Sequence, residues 1–382
     1  MAEPETFTFS ESKFEEALRN KTEKREKQIG DTSDPKPNKK RKQIDETSDP
    51  EAQQPRTVKA IRVHKFGGPK VLKLEDVETS EPKEGEICLK LKAAKVCWDS
   101  IGIVKAVGTG VTHLKVGNLV YYASAEPHGS CIEERNVPSD KVIILPPEVD
   151  PIFASAYTQL AMMARYLVTQ VFKVKSGHIV LVHAGGGTLC GYFLSQWASN
   201  LGATVIWTVP PSTDSVLLEK MVKAAKGAKC KHVIPIDDQR KFAESVIQIS
   251  LGRGCDVVYD PIGHDDFKEC LACLKPKGHM VNFCSCSGKP KIAVSTLAQK
   301  SIFFCSPDMK HYLENRDELI QSAMEVFEKI KRQKLQFNVR LKTFRLSETA
   351  QAHSAMEKME TTIAVLVPDD DNGDGGWFSS TI

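Results

Sequence analysis

Three consecutive glycines, 185–187, stand directly after the short apolar run Ile179–Val182 and before a segment with helical spacing. Glycines let the backbone approach phosphate oxygens closely, and the free N–H groups at the start of a helix favour a negative charge. A second apolar run, Ala203–Ile206, follows the helical segment at once. Strand, glycine turn, helix and strand in this order predict a site for the pyrophosphate of a dinucleotide.

The glycine spacing departs from the usual dinucleotide fingerprint, in which the third glycine comes three residues after the second. Here Gly187 is followed by Thr188, Leu189 and Cys190, and the next glycine is Gly191. A glycine cluster between two apolar runs also occurs as a plain turn. The strand before the cluster and the strand after the helix favour nucleotide binding over the plain turn.

The cysteines do not show the spacing of a zinc site. Cys270 and Cys273 are one turn apart in a helical pattern, which is typical of small buried thiols, and the pair Cys284 and Cys286 straddles the end of a strand. The cysteines of the N-terminal half are too scattered for a four-cysteine lobe: Cys88, Cys97 and Cys131. We therefore expect no metal.

The overall composition indicates an ordinary globular protein. The chain has 382 residues and a formal net charge of +3, and 41% of its residues are hydrophobic, which corresponds to about two domains without a charge that indicates a nucleic-acid partner. No apolar run approaches the roughly 18 residues of a membrane-spanning helix, and the acidic N-terminus lacks the apolar core of a secretory signal. Eleven cysteines without a regular framework favour reduced thiols. We predict a cytoplasmic location and no membrane partner.

Residues 1–56 are dominated by charged and small polar side chains. This composition predicts a disordered charged tail, and the polar, glycine-rich segment 369–382 predicts a second one. The first tail contains the basic run Asn38-Lys39-Lys40-Arg41-Lys42. Such a run is typical of a nuclear import signal or a weak RNA contact, but its acidic neighbours favour a solvated charge run.

Between residues 57 and 150 the pattern is that of a β domain. Short apolar or alternating runs are separated by glycine- and proline-rich turns, and they lie at 58–64, 71–77, 87–91, 101–107, 118–123 and 142–145. Many short strands with frequent turns predict a partly open β-barrel.

Residues 151–334 alternate helical and strand patterns. After the glycine turn, helices are predicted at 214–226, 240–250, 266–274 and 317–334, and strands at 232–236, 256–259 and 280–283. This alternation predicts an α/β fold with a doubly wound parallel sheet that binds a nucleotide. The last predicted strands, 339–344 and 363–367, return to the β pattern, so residues 335–368 are expected to complete the β domain.

Several stretches are similar to the zinc-independent quinone oxidoreductases of the medium-chain dehydrogenase/reductase superfamily, the zeta-crystallin-like group. They include GIVKAVGTGVTHLKVGNLVYYA, SQWASNLGATVIWTV, CDVVYDPIG and CLACLKPKGHMVNF. The resemblance implies a GroES-like barrel domain joined to a Rossmann domain, with NADPH in the cleft. It also implies hydride transfer to a quinone or an activated alkene, and assembly into homo-oligomers.

The residues after the second strand of the βαβ unit bear on the choice between NAD and NADP. NAD enzymes place a carboxylate there to bind the ribose hydroxyls, whereas the first acid after Trp207 is Asp214. The resembling family has a serine and a lysine in this region, and the nearest candidates here are Ser212 and Lys220. Lysines on a helix are also common on a solvated face, so the missing acid and the resemblance together favour NADPH.

The predicted cofactor contacts all lie in the glycine turn, at its flanks, or after the later strands of the same sheet. They are Ala184, Gly185, Gly186, Gly187, Thr188, Leu189, Thr208, Ser212, Lys220, Phe283 and Cys284. No catalytic residue is assigned.

Two departures from the family bear on activity. After Ala94 the family continues with an Asn-aromatic-x-Asp-x-Tyr segment and a loop that closes over nicotinamide and substrate, but here Cys97-Trp98-Asp99-Ser100 leads straight into Ile101. Met163 stands where the family has a threonine whose hydroxyl faces the cofactor. Two functions are therefore open: an NADPH-dependent quinone or enone reductase with impaired activity, and a catalytically inactive family member that retains nucleotide or RNA binding.

Overall fold

The computed structural model describes most of the chain after residue 55. The described residues are 56–96, 99–123, 129–184, 189–209, 215–236, 241–284, 287–332, 335, 341–358 and 363–369. The two predicted tails lie outside these residues except at their inner ends, and the basic run 38–42 lies outside them entirely.

The first seven strands follow one another without a long helix between them. They are β1 (Thr57–Val63), β2 (Leu72–Glu78), β3 (Glu86–Lys95), β4 (Ser100–Val107), β5 (Leu119–Tyr122), β6 (Glu134–Pro138) and β7 (Val142–Ile144). The first two form an antiparallel hairpin of their own. Two 3-10 turns, Pro69–Val71 and Ser139–Lys141, lead into β2 and β7.

The middle of the chain alternates helices and strands. In order, they are α1 (Pro151–Tyr166), β8 (Ile179–Val182), α2 (Leu189–Asn200), β9 (Thr204–Val209), α3 (Ser215–Gly227), β10 (His232–Pro235), α4 (Ala243–Ile249), β11 (Cys255–Asp260), α5 (Phe267–Ala272), β12 (Leu274–Asn282), α6 (Val294–Ala298) and β13 (Phe303–Cys305). The strands form a parallel six-stranded sheet in the order β10-β9-β8-β11-β12-β13. This is the Rossmann strand order, whose direction of winding reverses between β8 and β11.

The chain then returns to the first sheet. It passes through α7 (Lys310–Leu313), α8 (Arg316–Lys331), β14 (Leu341–Arg345), α9 (Thr349–Glu357) and β15 (Ile363–Val367). A seven-stranded sheet has the order β14-β15-β3-β4-β5-β7, and β6 also pairs with β3. β3 is the centre, because β4 covers one of its edges while β6 and β15 share the other. The two ends of the chain therefore build one sheet.

One apolar core connects the two sheets. It includes buried residues from β3, α1 and β8, among them Ala93, Tyr157 and Val180. α1 lies between the sheets and begins at Asp150, whose carboxylate accepts a hydrogen bond from the N–H of Phe153 (2.9 Å). This N-cap, with a proline at the first helical position, explains why the helix begins there.

The predicted fold class is confirmed, and three strands differ from expectation: β12 begins earlier than predicted, and β6 and β13 were not predicted. β12 begins at Leu274, six residues before the predicted strand at 280. β6 was not predicted because its sequence, ERNVP, is mostly polar, and hydrogen bonds to β3 hold it. The domain boundaries near residues 150 and 334 stay a prediction.

No helix in the described part of the chain has the length and apolar character needed to span a bilayer.

Candidate functional site

The candidate site lies at the carboxyl edge of the six-stranded sheet, where β8 and β11 end side by side. Ligands of doubly wound sheets bind at this reversal point, because the connecting segments leave in opposite directions and open a crevice. β8 ends at Val182, and α2 begins at Leu189. Between them, Ala184 has φ +46°, a left-handed conformation that residues other than glycine rarely adopt. Contacts beneath the turn must hold it there.

Those contacts come from His183 and Thr208. The Oγ1 atom of Thr208, near the end of β9, accepts a hydrogen bond from the N–H of Ala184 (2.8 Å). The same oxygen lies 2.9 Å from Nδ1 of His183. Both side chains are fully buried, so Thr208 supports the turn from inside the protein. Its direct contact with a cofactor stays a prediction.

His183 also links the turn to α5. Its Nε2 lies 2.9 Å from Oδ2 of Asp266, the residue directly before that helix. A carboxylate only accepts hydrogen bonds, so Nε2 carries a proton, and with Nδ1 unprotonated the ring can accept the hydroxyl hydrogen of Thr208. The tautomer protonated at Nε2 is compatible with the whole chain of bonds from Asp266 to Ala184.

A second buried carboxylate, Asp260, ends β11. It accepts hydrogen bonds from the N–H groups of Ile262 (2.8 Å) and Gly263 (3.1 Å). Burial raises the pKa of Asp260, and the nearby His183 opposes that rise. His183, Asp260 and Cys270 place three potential metal-ligand atoms within 4.8 Å of one another. Both ring nitrogens of His183 are already within hydrogen-bond distance of other groups, Oγ1 of Thr208 and Oδ2 of Asp266.

Asp260 and Asp266 are 0% and 1% exposed and are hydrogen bonded inside the protein. Both carboxylates accept hydrogen bonds from other parts of the protein, and a pyrophosphate would meet the N–H groups at the start of α2. The described residues therefore fit a dinucleotide.

The structure places the other predicted cofactor contacts as follows. Phe283 and Cys284 come directly after β12 at the same edge of the sheet, with Phe283 half-buried and Cys284 exposed. Lys220 lies in α3, and Leu189 begins α2. The remaining ones lie outside the described residues and stay predictions: Gly185, Gly186, Gly187, Thr188 and Ser212.

A second group of ionisable residues, which the sequence did not assign to a site, lies where β3 meets β4. The N–H of Lys95 donates to the carbonyl oxygen of Asp99 (3.1 Å), which closes the short connection between the strands. The Asp99 side chain is 1% exposed and accepts a hydrogen bond from the hydroxyl of Tyr121 (2.7 Å). Burial raises the pKa of Asp99 to about 6, although Lys95 and the Tyr121 hydroxyl oppose the rise.

Lys95 extends from the end of β3 towards α1. Its Nζ donates to Oε1 of Gln159 (3.3 Å). Burial lowers the pKa of Lys95, and the charge of Asp99 opposes this effect.

Cys190, in the first turn of α2, interacts electrostatically with both Lys95 and Cys284, and burial raises its pKa to about 12. Lys95 therefore lies at the end of β3, with its side chain bonded to α1. The sequence signal for it is a lysine that ends an apolar strand four residues before an aspartate.

A Rossmann sheet and a barrel-like sheet that share one core define a two-domain dehydrogenase/reductase fold.

A family model described as zinc-binding dehydrogenase matches residues 228–362. The 2-haloacrylate reductase of Burkholderia sp is 33% identical over 339 residues, which cover 81% of this chain and 98% of the relative. The quinone oxidoreductase of Pseudomonas aeruginosa is 29% identical over 81% of this chain and 99% of the relative.

Among solved structures, the Escherichia coli quinone oxidoreductase complexed with NADPH matches with a TM-score of 0.72 and 28% identity. The match covers 81% of this chain and all of that chain (100%). The chain belongs to the quinone oxidoreductase family of the medium-chain dehydrogenase/reductase superfamily.

Proposed function

We propose that this protein transfers a hydride from NADPH to a quinone or an activated alkene. The observation that carries the proposal is the buried support of the β8–α2 turn by His183 and Thr208 at the reversal point of the Rossmann sheet. Relatives of the chain are described as a quinone oxidoreductase and a 2-haloacrylate reductase, and one related structure contains NADPH.

NADPH, when bound, supplies the hydride. The protein's part is to bind, orient and exclude water. The turn at Ala184 and the start of α2 would hold the pyrophosphate, and Ser212 and Lys220 would hold the 2′-phosphate. Phe283 and Cys284, after the end of β12, would lie on the nicotinamide side.

A titration of NADPH, followed by intrinsic fluorescence, tests the proposal, because Trp207 lies in β9 beside the proposed site. We expect saturable binding and NADPH oxidation that depends on an added benzoquinone. Saturable binding without oxidation would favour the catalytically inactive alternative. Folded protein, judged by circular dichroism, that binds no NADPH would overturn the proposal.

We further propose a homo-oligomer that pairs through the edge strand β13. This strand ends the six-stranded sheet, and the side chain of Phe303 on it is 57% exposed. An edge strand offers unpaired N–H and C=O groups that a second copy can bond. Sedimentation velocity would reveal the assembly, and a Phe303→Lys substitution should shift it towards monomer; a monomeric wild-type protein at micromolar concentration would contradict the idea.

The cytoplasmic location stays a prediction. We propose that the basic run 38–42 is a solvated charge run, because acidic residues flank it. A fusion of residues 1–56 to a fluorescent protein tests this: accumulation in the nucleus would favour an import signal instead.

A further inference from the structure

We propose that the C-terminal segment 370–382 binds in a groove between the 3-10 turn Pro69–Val71 and α9. In this arrangement Trp377 and Phe378 lie against the apolar surface of the groove, and the aspartates of the segment face its two lysines. Three features carry the arrangement: the shape and charge of the groove, the composition of the segment, and the point at which the segment leaves the sheet.

The groove is an apolar surface between two elements that are far apart in the chain. It has a volume of about 310 Å³. Pro69 of the 3-10 turn and the small side chains of Ala350 and Ala355 on α9 contribute its apolar part. The described residues that line it include no aromatic or branched aliphatic side chain. The groove therefore has room for a large side chain from another segment.

The charged side chains among the described residues that line the groove are both lysines. Lys70 lies in the 3-10 turn, and Lys358 directly follows α9. Both are exposed, and neither has an ion-pair partner in the part of the chain that the structure describes. Complementary charge selects partners at such a surface. The groove therefore favours a ligand that carries both aromatic groups and negative charge.

The segment 370–382 has this composition. Asp370, Asp371 and Asp374 precede the pair Trp377-Phe378, and the segment contains no lysine or arginine. A polar, glycine-rich segment cannot build a core of its own, but a segment of this kind can order when it binds. Aromatic side chains bury a large area each and contribute most of the energy of such contacts. The aromatic pair is therefore the expected anchor.

The chain enters this segment beside the start of α9. Nη1 of Arg345 donates a hydrogen bond to the carbonyl oxygen of Asp369 (2.7 Å), and the N–H of Ser347 donates to Oδ2 of Asp369 (3.2 Å). Ser347 comes three residues before Ala350, the first residue of α9 that lines the groove. The eight residues from Asp369 to Trp377 can span about 26 Å, whereas α9 follows the groove for only about 12 Å. The aromatic pair can therefore reach any part of the groove.

Binding of the segment would tie the β1–β2 hairpin to the rest of the protein. The hairpin forms a sheet of its own, and the 3-10 turn Pro69–Val71 lies between its strands. Ala352 and Ala355 of α9 pack with Ala364 and Leu366 of β15 in one apolar cluster. A segment that contacts both the turn and α9 therefore acts as a strap between the hairpin and the seven-stranded sheet.

Carbodiimide cross-linking of the full-length protein, followed by mass spectrometry of tryptic peptides, tests this contact. The reagent joins an amine to a carboxylate where the two groups touch, so we expect links between Lys70 and the aspartates of 370–382. An equal mixture of unlabelled and ¹⁵N-labelled protein distinguishes links within one chain from links between copies. Lys115, an exposed lysine between β4 and β5 that does not line the groove, should form no link to the segment.

Two matched variants show whether the aromatic pair anchors the segment. Trp377→Ala combined with Phe378→Ala keeps every charge and should reduce the yield of the link to Lys70 by about fivefold or more, whereas Ser379→Ala combined with Ser380→Ala should leave it within about twofold. Equal yields in the two variants would overturn the proposal. So would links that form mainly between copies, or a wild-type protein without a link between the segment and Lys70.

Fluorine NMR of protein labelled with 5-fluorotryptophan supplies a second measurement. Trp377→Phe identifies the Trp377 resonance, which we expect to differ in chemical shift from that of a synthetic peptide of residues 369–382. Lys70→Glu combined with Lys358→Glu should move the resonance to the peptide value. The same charge change at exposed lysines outside the groove, Lys83→Glu combined with Lys115→Glu, should not. A wild-type Trp377 resonance at the peptide value would contradict the docking.

Discussion

Nε2 of His183 lies 2.9 Å from Oδ2 of Asp266, and neither side chain is more than 1% exposed. The two residues are 83 positions apart in the chain, and their bond ties the β8–α2 turn to the start of α5. Removing the carboxylate by Asp266→Ala leaves a buried ring N–H without an acceptor. We expect the free energy of unfolding to fall by about 2–3 kcal/mol in urea titrations, with weaker NADPH binding because the turn at Ala184 loses its support.

The neighbouring Asp265 provides the control. Its side chain is 48% exposed and lies beside the exposed His264, so Asp265→Ala should change stability by no more than about 0.5 kcal/mol. Equal stability of the two variants would show that the buried pair does not hold the turn.

The carboxyl of Asp99 should make stability depend on pH. Burial raises its pKa from the ordinary value of 3.8 to about 6, so the folded protein binds this proton more tightly than the unfolded chain does. The contribution to stability is therefore present below about pH 4 and is lost as the pH rises through about 6. The difference corresponds to about 3 kcal/mol.

Asp99→Asn should remove this dependence, because the amide does not ionise. Urea midpoints measured from pH 4 to 7.5 should show the variant gaining stability relative to wild type as the pH rises. Asp76→Asn, at a side chain that is 59% exposed, should leave the pH profile unchanged. A constant difference between Asp99→Asn and wild type across this range would contradict the raised pKa.

Arg165 should stabilise the packing of α1 on α8. Its Nε donates to Glu325 (2.6 Å) and its Nη1 to Glu318 (3.2 Å), while the arginine itself is only 7% exposed. The glutamates are partly exposed, so water screens part of the gain. We expect Arg165→Met to lower the unfolding free energy by about 1–3 kcal/mol.

Arg165→Lys should recover little of that loss, since an ammonium cannot bond two carboxylates with the fork of a guanidinium. The control is Arg332→Met, at a side chain that is 66% exposed and paired with Glu328 one turn away, for which thermal and urea unfolding should hardly change. Full recovery by lysine would mean that charge alone, without the fork geometry, holds the two helices.

Lys220, in α3, should discriminate between the two nicotinamide cofactors. If it contacts the 2′-phosphate, Lys220→Ala should weaken NADPH binding by about fivefold, equivalent to about 1 kcal/mol. NADH lacks this phosphate, so its affinity should not change. Lys226→Ala, in the last turn of the same helix, is the matched control, and equal weakening of NADPH and NADH in the Lys220 variant would exclude a role in phosphate recognition. Fluorescence titrations supply both affinities.

Local patterns in the sequence determined most of the elements. The run at 363–367 coincides with β15, and the predicted strands beside the glycine turn correspond to β8 and β9. A short apolar run bounded by glycines indicates a strand that is buried on both faces. Such a run can be recognised from adjacent residues alone. β6 was not predicted because most of its residues are polar. Its position depends on pairing with β3, which ends about forty residues before β6 begins.

The sequence by itself also placed the nucleotide turn, because strand, glycines and helix are contiguous. Only the tertiary structure decided which polar side chains meet: Asp266 with His183 across 83 residues, and Lys95 with Gln159 across 64. Such pairs leave no periodic signal, since they arise where elements distant in the chain are packed together. Packing also placed Thr208 beneath the turn, where its oxygen is occupied by the protein's own backbone. Local sequence set the elements, and long-range packing set the chemistry of the site.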